Sequence, residues 1–353
     1  MRKHNFFPGP ATLPFEVIQE AAAGLVDYNG MGVSIAEISH RSPIFTDLLD
    51  EANALVKKLY GLSDDWAVLW LPGGASSQLT VAPMNLTEPN DKIAFVDTGF
   101  WAGRAIEAAA NEANAFFLAS SKDTNYDRIP KITDVQGARY LHVVSNETID
   151  GTQYHDFPEV DVPLVADMTS DFLSRPLPME KFGVIFASAQ KNFGIAGITC
   201  VLVNKAVLPE KNSRKVPKIF DYHTHIAENS LYHTIPTYPV YVALLMLRYI
   251  DKQGGLVEMQ RLSQQKSALI YNEIDRNPLL KGIVATEDRS LMNACFTSQS
   301  PEMDQKINLF LEQNDIVGIK GFPTKGGFRA SIYNGQPLAS VAHLIELLQN
   351  LPL

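Results

Sequence analysis

The chain has 353 residues, of which 46% are hydrophobic and 20% are charged, and its formal net charge is −9. This length predicts a large domain together with a smaller one. The negative charge argues against a nucleic-acid-binding face, the opening residues lack a signal-peptide stretch, and no apolar run approaches membrane-spanning length.

Two cysteines, Cys200 and Cys295, are too few for a disulfide framework, and both lie in apolar runs. They are interpreted as small core residues in a reducing compartment. The basic run at 211–218 is interpreted as a solvated loop. We therefore expect a cytoplasmic protein that binds neither nucleic acid nor membrane.

The first two thirds of the chain alternate short apolar runs with helical spacing. The runs predict seven strands, at 66–71, 93–96, 115–119, 140–144, 164–166, 184–186 and 198–203. Helices are predicted at 14–28, 45–59, 76–84 and 102–111. This alternation predicts an α/β fold in which a mostly parallel sheet lies between helices on both faces.

The pattern changes after Asn204. Helices are predicted at 236–250 and 256–274, on either side of a Gly-Gly break, and later at 304–313 and 338–348. Short strands are predicted at 283–285, 292–296, 316–319 and 328–332. We predict a large domain over residues 12–255 and a smaller α+β domain over 256–353, with residues 1–11 packed near the smaller one.

Two apolar runs end in side chains of opposite charge. One run ends at Asp167, and a later one ends at Lys191. This is the pair that a pyridoxal phosphate (PLP) enzyme needs, because a lysine forms the Schiff base and an acid keeps the pyridinium nitrogen protonated. A lone lysine after a strand is more often a surface residue, but the surrounding motifs favour the functional interpretation.

Three more segments follow predicted strands, where open α/β sheets bind ligands. Gly73-Gly74 precedes a helical stretch, whose N-terminus could bind a phosphate. Trp101 could stack on a pyridine ring or could be a core aromatic residue. The hydroxyl of Thr148 could bond the phenolic oxygen of the cofactor.

Two arginine sites suit a substrate with two anionic ends. His40-Arg41 follows the segment 34–39, and Arg329 lies inside an apolar strand. Arginine binds carboxylates through two parallel hydrogen bonds, and a buried arginine needs a partner.

Taken together, these motifs resemble the phosphoserine aminotransferases, a class V, fold-type I family of PLP enzymes in serine biosynthesis. The matching segments, all in one order, are 5–10, 37–41, 73–76, 98–101, 146–151, 165–167, 189–192 and 329–334. The resemblance implies a homodimer that converts 3-phosphoserine and 2-oxoglutarate into 3-phosphohydroxypyruvate and glutamate, with each active site at the subunit interface.

The resemblance also implies a role for each site residue. Lys191 would carry PLP covalently, Asp167 would bind the pyridinium nitrogen, Trp101 would stack, and Thr148 would bond the phenolate. Ala75, Ser76 and Gln190 would hold the phosphate, which His233 and Thr234 would reach from the second subunit. Arg329 would bind the α-carboxylate of the substrate, and His40 and Arg41 its distal anion.

One stretch departs from the family pattern. Family members carry a His-Arg pair that contacts the substrate phosphate, where this chain has Phe322-Pro323. Two lost hydrogen bonds to a charged group correspond to about 3–6 kcal/mol, which Lys320 or Lys325 could restore in part. The alternative is a class V aminotransferase for a non-phosphorylated amino acid, alanine or serine with glyoxylate or pyruvate.

Three other hypotheses are weaker. A cysteine desulfurase needs a loop-borne cysteine, which neither Cys200 nor Cys295 provides. A catalytically silent PLP-fold protein would not need the Lys191, Asp167 and Arg329 set. A metal site built from His223, His225, Glu228 and His233 fits no compact ligand motif, so we predict no metal and interpret these histidines as surface residues.

Overall fold

The computed structural model describes residues 2–210 and 214–352, so Met1, Leu353 and positions 211–213 of the basic run lie outside the described part. The described residues form nine α-helices and twelve strands. The helices are α1 (Phe15–Val26), α2 (Pro43–Tyr60), α3 (Ala75–Leu86), α4 (Phe100–Ala109), α5 (Tyr222–Ala227), α6 (Thr237–Lys252), α7 (Gly255–Arg276), α8 (Pro301–Gln313) and α9 (Leu338–Gln349). The strands are β1 (His4–Asn5), β2 (Trp66–Pro72), β3 (Lys92–Asp97), β4 (Asn114–Ser120), β5 (Tyr140–Val144), β6 (Leu164–Asp167), β7 (Phe182–Ser188), β8 (Ile198–Asn204), β9 (Leu280–Gly282), β10 (Asn293–Ser298), β11 (Ile316–Val317) and β12 (Phe328–Ser331).

A seven-stranded sheet organises the first part of the chain, in the order β2-β8-β7-β6-β5-β3-β4. The pairs from β7 through β4 are parallel, and β8 runs antiparallel to both of its neighbours. The predicted α/β fold with a mostly parallel seven-stranded sheet is confirmed. Each predicted strand of this sheet matches the observed one within two residues at either end.

The central strands are buried on both faces, which explains their uninterrupted apolar sequences. Every residue of β5, β6 and β7 is buried. Alternate side chains enter different cores: Leu141 and Val143 join the core under α1, α2 and α6, whereas Tyr140 joins the core under α3 and α4. Helices therefore cover both faces of the sheet.

A second, three-stranded antiparallel sheet in the order β12-β10-β9 lies in the last part of the chain, and α7 and α9 pack against each other beside it. Strand β1 pairs in parallel with β11, which places the N-terminal residues in the same region. The domain boundary after residue 255 stays a prediction. None of the helices in the described ranges is long and apolar enough to cross a membrane.

One local expectation was wrong, and one short helix was missed. The strand predicted at 283–285 lies instead at β9, because Gly282 is the residue that pairs with Phe296 and the apolar residues after it are in a loop. Helix α5 was not predicted, because six residues are too few to show helical periodicity; its start is capped by the Asp221 carboxylate, which accepts from the backbone N–H groups of His223 and Thr224.

Candidate active site

A cavity opens at the carboxyl edge of the seven-stranded sheet. Strands β2, β3, β5, β6 and β7 run in the same direction, so the segments that follow them meet at this edge. The lining residues are Gly74, Ala75, Ser76, Leu79, Trp101, Val144, Asn146, Thr148, Asp167, Thr169, Ser170, Gln190 and Lys191. The structure thus brings together seven of the predicted site residues: Ala75, Ser76, Trp101, Thr148, Asp167, Gln190 and Lys191.

Lys191 projects its amine between two other predicted residues. The Lys191 Nζ atom donates a hydrogen bond to the Thr148 hydroxyl and lies 5.7 Å from the centroid of the Trp101 ring. Burial lowers the pKa of Lys191 to about 8, although the Asp167 carboxylate opposes the shift. The neutral amine that a nucleophile or base requires is therefore more accessible than in an exposed lysine.

Residues 8–11 cross directly over this lysine. The backbone N–H of Ala11 donates to the Gln190 carbonyl at 2.9 Å, and the Tyr333 hydroxyl donates to the Pro8 carbonyl at 2.7 Å. Gly9 has a φ of +143°, and a Cβ atom there would lie 3.0 Å from Lys191 Cγ. From the sequence, this segment was identified only through the family resemblance. The close approach of residue 9 to Lys191 explains why that residue is a glycine.

Asp167 ends β6 and is buried at the cavity. Its Oδ1 atom accepts a hydrogen bond from the Thr169 backbone N–H at 2.9 Å. Burial raises the pKa of Asp167, while the Thr169 hydrogen bonds and the nearby Lys191 oppose the shift. A cationic partner would relieve this desolvation, and a protonated pyridine nitrogen is such a partner.

The start of α3 supplies the features of a phosphate site. Gly74 is its N-cap residue, and Ala75 and Ser76 of the first turn line the cavity. The first backbone N–H groups of a helix have no partner within it and attract anions. Beside Gly74, the Ser188 hydroxyl donates a hydrogen bond to Gln190 Oε1 and so orients that side chain. These residues fit the phosphate group of PLP.

Trp101 lies in the first turn of α4, and a buried carboxylate holds this turn. Glu147 accepts hydrogen bonds from the backbone N–H groups of Trp101 (3.2 Å) and Ala102 (3.0 Å). Burial, together with repulsion from Asp150, raises the pKa of Glu147 to about 8. Within the described residues the indole N–H of Trp101 has no hydrogen-bond partner. Sequence reasoning missed both acids, although they belong to the quoted 146–151 motif.

Arg329 adjoins the cavity from β12. It is buried, and its Nη1 atom donates to the Thr148 carbonyl at 3.1 Å. Its Nε atom is also buried and has no partner in the part of the chain that the structure describes. The guanidinium therefore keeps donors free for a carboxylate.

Besides Arg329, which only adjoins the cavity, four predicted residues do not line it: His40, Arg41, His233 and Thr234. His233 instead lies beside His225, with 5.7 Å between the ring centroids. The pKa of His233 is lowered mainly by burial, then by His225, and least by His40, which is therefore also nearby. Both ring nitrogens of His233 are buried without a partner among residues 2–210 and 214–352. The interpretation of these histidines as surface residues is wrong for His225, which is fully buried.

The β11–β12 loop, residues 318–327, contains the stretch that departs from the family pattern. The Phe322 ring packs on Phe100, with centroids 5.7 Å apart. The Lys325 ammonium lies 2.8 Å from Asp150 Oδ1 in an ion pair, whereas Lys320 is exposed. Lys325 is thus already engaged by a carboxylate of the protein.

Neither cysteine is placed for nucleophilic chemistry. Cys200 lies in β8 and Cys295 in β10, and both are buried. Burial raises the pKa of both thiols, that of Cys295 to about 12. Across the described ranges, no group of three His, Cys, Asp or Glu side chains could hold a metal ion.

Comparison with known proteins adds whole-chain similarity to this geometry. A model of the class-V aminotransferases matches residues 4–344. The chain is 43% identical over 353 residues to a phosphoserine aminotransferase of Flavobacterium johnsoniae, covering 99% of each protein. Its structure resembles that of phosphoserine aminotransferase from Bacillus circulans subsp. alkalophilus, with a TM-score of 0.95, 38% identity and coverage of 99% and 98%. A PLP-bound phosphoserine aminotransferase from Trichomonas vaginalis gives a TM-score of 0.93 at 32% identity, with coverage of 99% and 100%.

Proposed function

The chain belongs to the class-V aminotransferases, and on that premise we propose that it transfers the amino group of 3-phosphoserine to 2-oxoglutarate in serine biosynthesis. The products are 3-phosphohydroxypyruvate and glutamate. The observation that carries the proposal is the meeting of Lys191 and Asp167 at one cavity, within a chain similar to phosphoserine aminotransferases over its whole length.

The cofactor is PLP, which draws electrons away from the Cα atom of an attached amino acid and so weakens its Cα–H bond. We assign the binding groups residue by residue. Asp167 pairs with the ring nitrogen, Trp101 stacks on the ring, and Thr148 bonds its phenolic oxygen. Ala75, Ser76 and Gln190 hold the phosphate at the start of α3, where free backbone N–H groups support the assignment.

Lys191 has two roles in this proposal. It would be the covalent attachment point of PLP, and, once free of that bond, its neutral amine would accept the proton of the substrate Cα atom and hold it for return to the product. The lowered pKa of Lys191 supports the second role, because only an unprotonated amine can accept the proton. Asp167 meanwhile keeps the ring nitrogen protonated.

Arg329 binds the α-carboxylate of the substrate, and His40 and Arg41 bind its distal anion. The buried, unpartnered Nε atom of Arg329 within the described chain supports the first assignment. In the single protomer His40 and Arg41 do not line the cavity, and His40 lies near His233. The second assignment therefore requires another copy of the chain.

We accordingly propose a cytoplasmic homodimer in which His233 and Thr234 reach the PLP phosphate of the partner subunit. Two buried ring nitrogens without a partner, as His233 has in the described part of its own protomer, are costly unless an external acceptor or donor completes them. The same crossing would carry His40 and Arg41 to the partner's substrate. The hydrogen-bonding needs of His233 are the support for this arrangement.

Substrate identity is tested by mixing the purified, PLP-containing protein separately with L-phosphoserine, L-glutamate, L-serine and L-alanine and recording its visible absorption. We expect phosphoserine and glutamate, but neither serine nor alanine, to cause rapid loss of the visible absorption band of bound PLP. Bleaching by serine or alanine, with phosphoserine inert, would contradict the proposed substrate and support the non-phosphorylated alternative.

Site sharing is tested with two variants that we expect to be impaired, Lys191→Ala in activity and His233→Ala in PLP affinity. A hybrid dimer of the two has one cavity with both defects and one with neither if His233 serves the partner's site. We expect activity and tight PLP binding to return on mixing after mild dissociation. If hybrid dimers form but regain neither activity nor tight PLP binding, His233 does not serve the active site of the partner subunit.

A further inference from the structure

We propose that Lys325 is a positioning residue that ties the β11–β12 loop to the first turn of α4 and so fixes Trp101 relative to Arg329. The link runs through residues 146–151. The roles of Trp101 in stacking and of Arg329 in carboxylate binding rest on the proposed function. The contacts that connect the loop to α4 do not.

The Lys325 side chain makes four contacts with loops that follow strands β4 and β5 of the seven-stranded sheet. Its ammonium lies 2.8 Å from Asp150 Oδ1, and this ion pair is shielded from solvent, with 18% of the lysine side chain and 1% of the aspartate exposed. The ammonium donates hydrogen bonds to the backbone carbonyl and the side-chain oxygen of Asn125, at 3.2 and 3.1 Å. It lies 5.2 Å from the centroid of the Tyr126 ring. A side chain with this many partners is held in one place.

Asp150 passes this restraint to α4. Its Oδ2 atom accepts a hydrogen bond from the backbone N–H of Phe100 at 3.2 Å, and Glu147 accepts from the next two N–H groups, those of Trp101 and Ala102. Two buried carboxylates therefore cap one helix start. Asp150 lies close enough to Glu147 to raise the pKa of Glu147, and Lys325 supplies the positive charge that compensates Asp150.

A second contact joins the same two elements. The Phe322 ring packs on the Phe100 ring, and Phe100 packs edge-on against Trp101 with 5.2 Å between centroids. The loop thus contacts the helix start directly through the Phe322–Phe100 pair. Three residues further along the loop, Lys325 reaches the same helix start indirectly, through its ion pair with Asp150. Both contacts come from the β11–β12 loop, which contains the Phe322-Pro323 pair that departs from the family pattern.

The loop leads directly into β12, which carries Arg329. The Arg329 backbone N–H donates to the Ile319 carbonyl at 2.7 Å, and Gly321 N–H donates to the Gly327 carbonyl at 2.8 Å, so the two ends of the loop are joined. Restraining Lys325 consequently restrains Arg329. Residues 146–151 contact both side chains, since Arg329 bonds the Thr148 carbonyl. The distance between the carboxylate-binding arginine and the stacking tryptophan is set by this network.

The first test measures amide hydrogen exchange in the full-length protein without PLP. In Lys325→Met, we expect exchange at Phe100, Trp101 and Ala102 to accelerate on the order of tenfold, because one charged contact is lost. Lys325→Arg should retain most of the protection. Lys320→Met is the matched control, since Lys320 is an exposed lysine of the same loop. If Lys325→Met does not fold, Lys325→Gln replaces it.

The second test measures the dissociation constant of PLP and the quenching of Trp101 fluorescence by bound PLP, with Trp101→Phe as the baseline. Lys325→Met should weaken quenching and raise the dissociation constant on the order of tenfold, as for loss of one charge-assisted contact. Equal exchange in Lys325→Met and wild type, or acceleration spread evenly over the chain, would overturn the inference. If phosphoserine proves not to be a substrate, the proposed function fails while the exchange result still stands.

Discussion

Gly99 and Asp150 are in such close contact that no side chain fits at residue 99. A Cβ atom there would lie 2.3 Å from Asp150 Oδ2 and 2.9 Å from the Glu147 carboxyl carbon, and Gly99 has a φ of +154°. The two carboxylates can cap α4 only because the residue before the helix is glycine. The start of α4 is therefore built around buried charge, and it carries the ring that we assign to stack on PLP.

Gly99→Ala should displace these carboxylates and loosen the turn that holds Trp101. We expect a loss of more than about 1 kcal/mol in the free energy of unfolding, since alanine is incompatible with this backbone conformation, together with weaker PLP binding. Gly103→Ala is the control in the same helix, where a Cβ atom meets open space. It should raise stability by about 0.5–1 kcal/mol, as denaturant titration of both variants would reveal. Equal stability of the two variants would contradict the packing argument.

Lys191→Ala should remove the visible absorption of protein-bound PLP and lower the transamination rate by at least about 10²–10⁴-fold, the range for loss of a positioned acid–base group. Lys205→Ala serves as control, because Lys205 also follows a strand of the large sheet but is exposed. Absorption spectra and single-turnover kinetics measure both effects. An unchanged spectrum in Lys191→Ala would exclude the assigned attachment.

Uptake of PLP by the cofactor-free protein should depend on pH through Lys191. The attacking amine must be neutral, and the pKa of Lys191 is lowered to about 8, so the uptake rate should rise as pH increases through about 8 and level off above it. Stopped-flow absorbance between neutral and alkaline pH measures the rate. A midpoint near that of a free lysine would contradict the effect of burial.

Glu147 should make stability depend on pH. Its pKa is raised from 4.5 to about 8 in the folded protein, so its contribution to the free energy of unfolding is fully present below about 4.5 and is lost as pH rises through about 8. The melting temperature of the cofactor-free wild type relative to Glu147→Gln should therefore fall across this interval. Glu107→Gln, an exposed position on α4, should show no such trend, and a wild-type advantage that grows with pH would refute the direction.

Arg329→Lys should raise the KM for the amino-acid substrate. Lysine keeps the charge but loses the two-pronged geometry; the lost hydrogen bond corresponds to about 1.5–3 kcal/mol, or about 10- to 150-fold in kcat/KM. Arg128→Lys, at an exposed ion pair with Asp127, is the control. Steady-state kinetics with both variants distinguishes a binding defect from general damage; equal kcat/KM values would remove Arg329 from the substrate site.

Local sequence patterns were enough to predict the large sheet and the centre of the site. Continuous apolar runs can be satisfied only by strands buried on both faces, and a polar residue at the end of such a run must lie at the sheet edge. Asp167 and Lys191 could therefore be located without a structure, and parallel strands bring their ends together. The errors in secondary structure were local. Strand β9 was predicted a few residues too late because the loop after it is apolar, and α5 is too short to show a helical periodicity.

Contacts between residues that are far apart in the sequence could be identified only in the folded chain. Lys325 and Asp150 are 175 positions apart in the chain, and no local pattern predicts their ion pair. The burial of His225 and the capping of α4 by Glu147 likewise follow from packing between segments that are remote in sequence. Local periodicity reports which face of an element is buried, whereas the partner of a buried charge depends on the path of the whole chain.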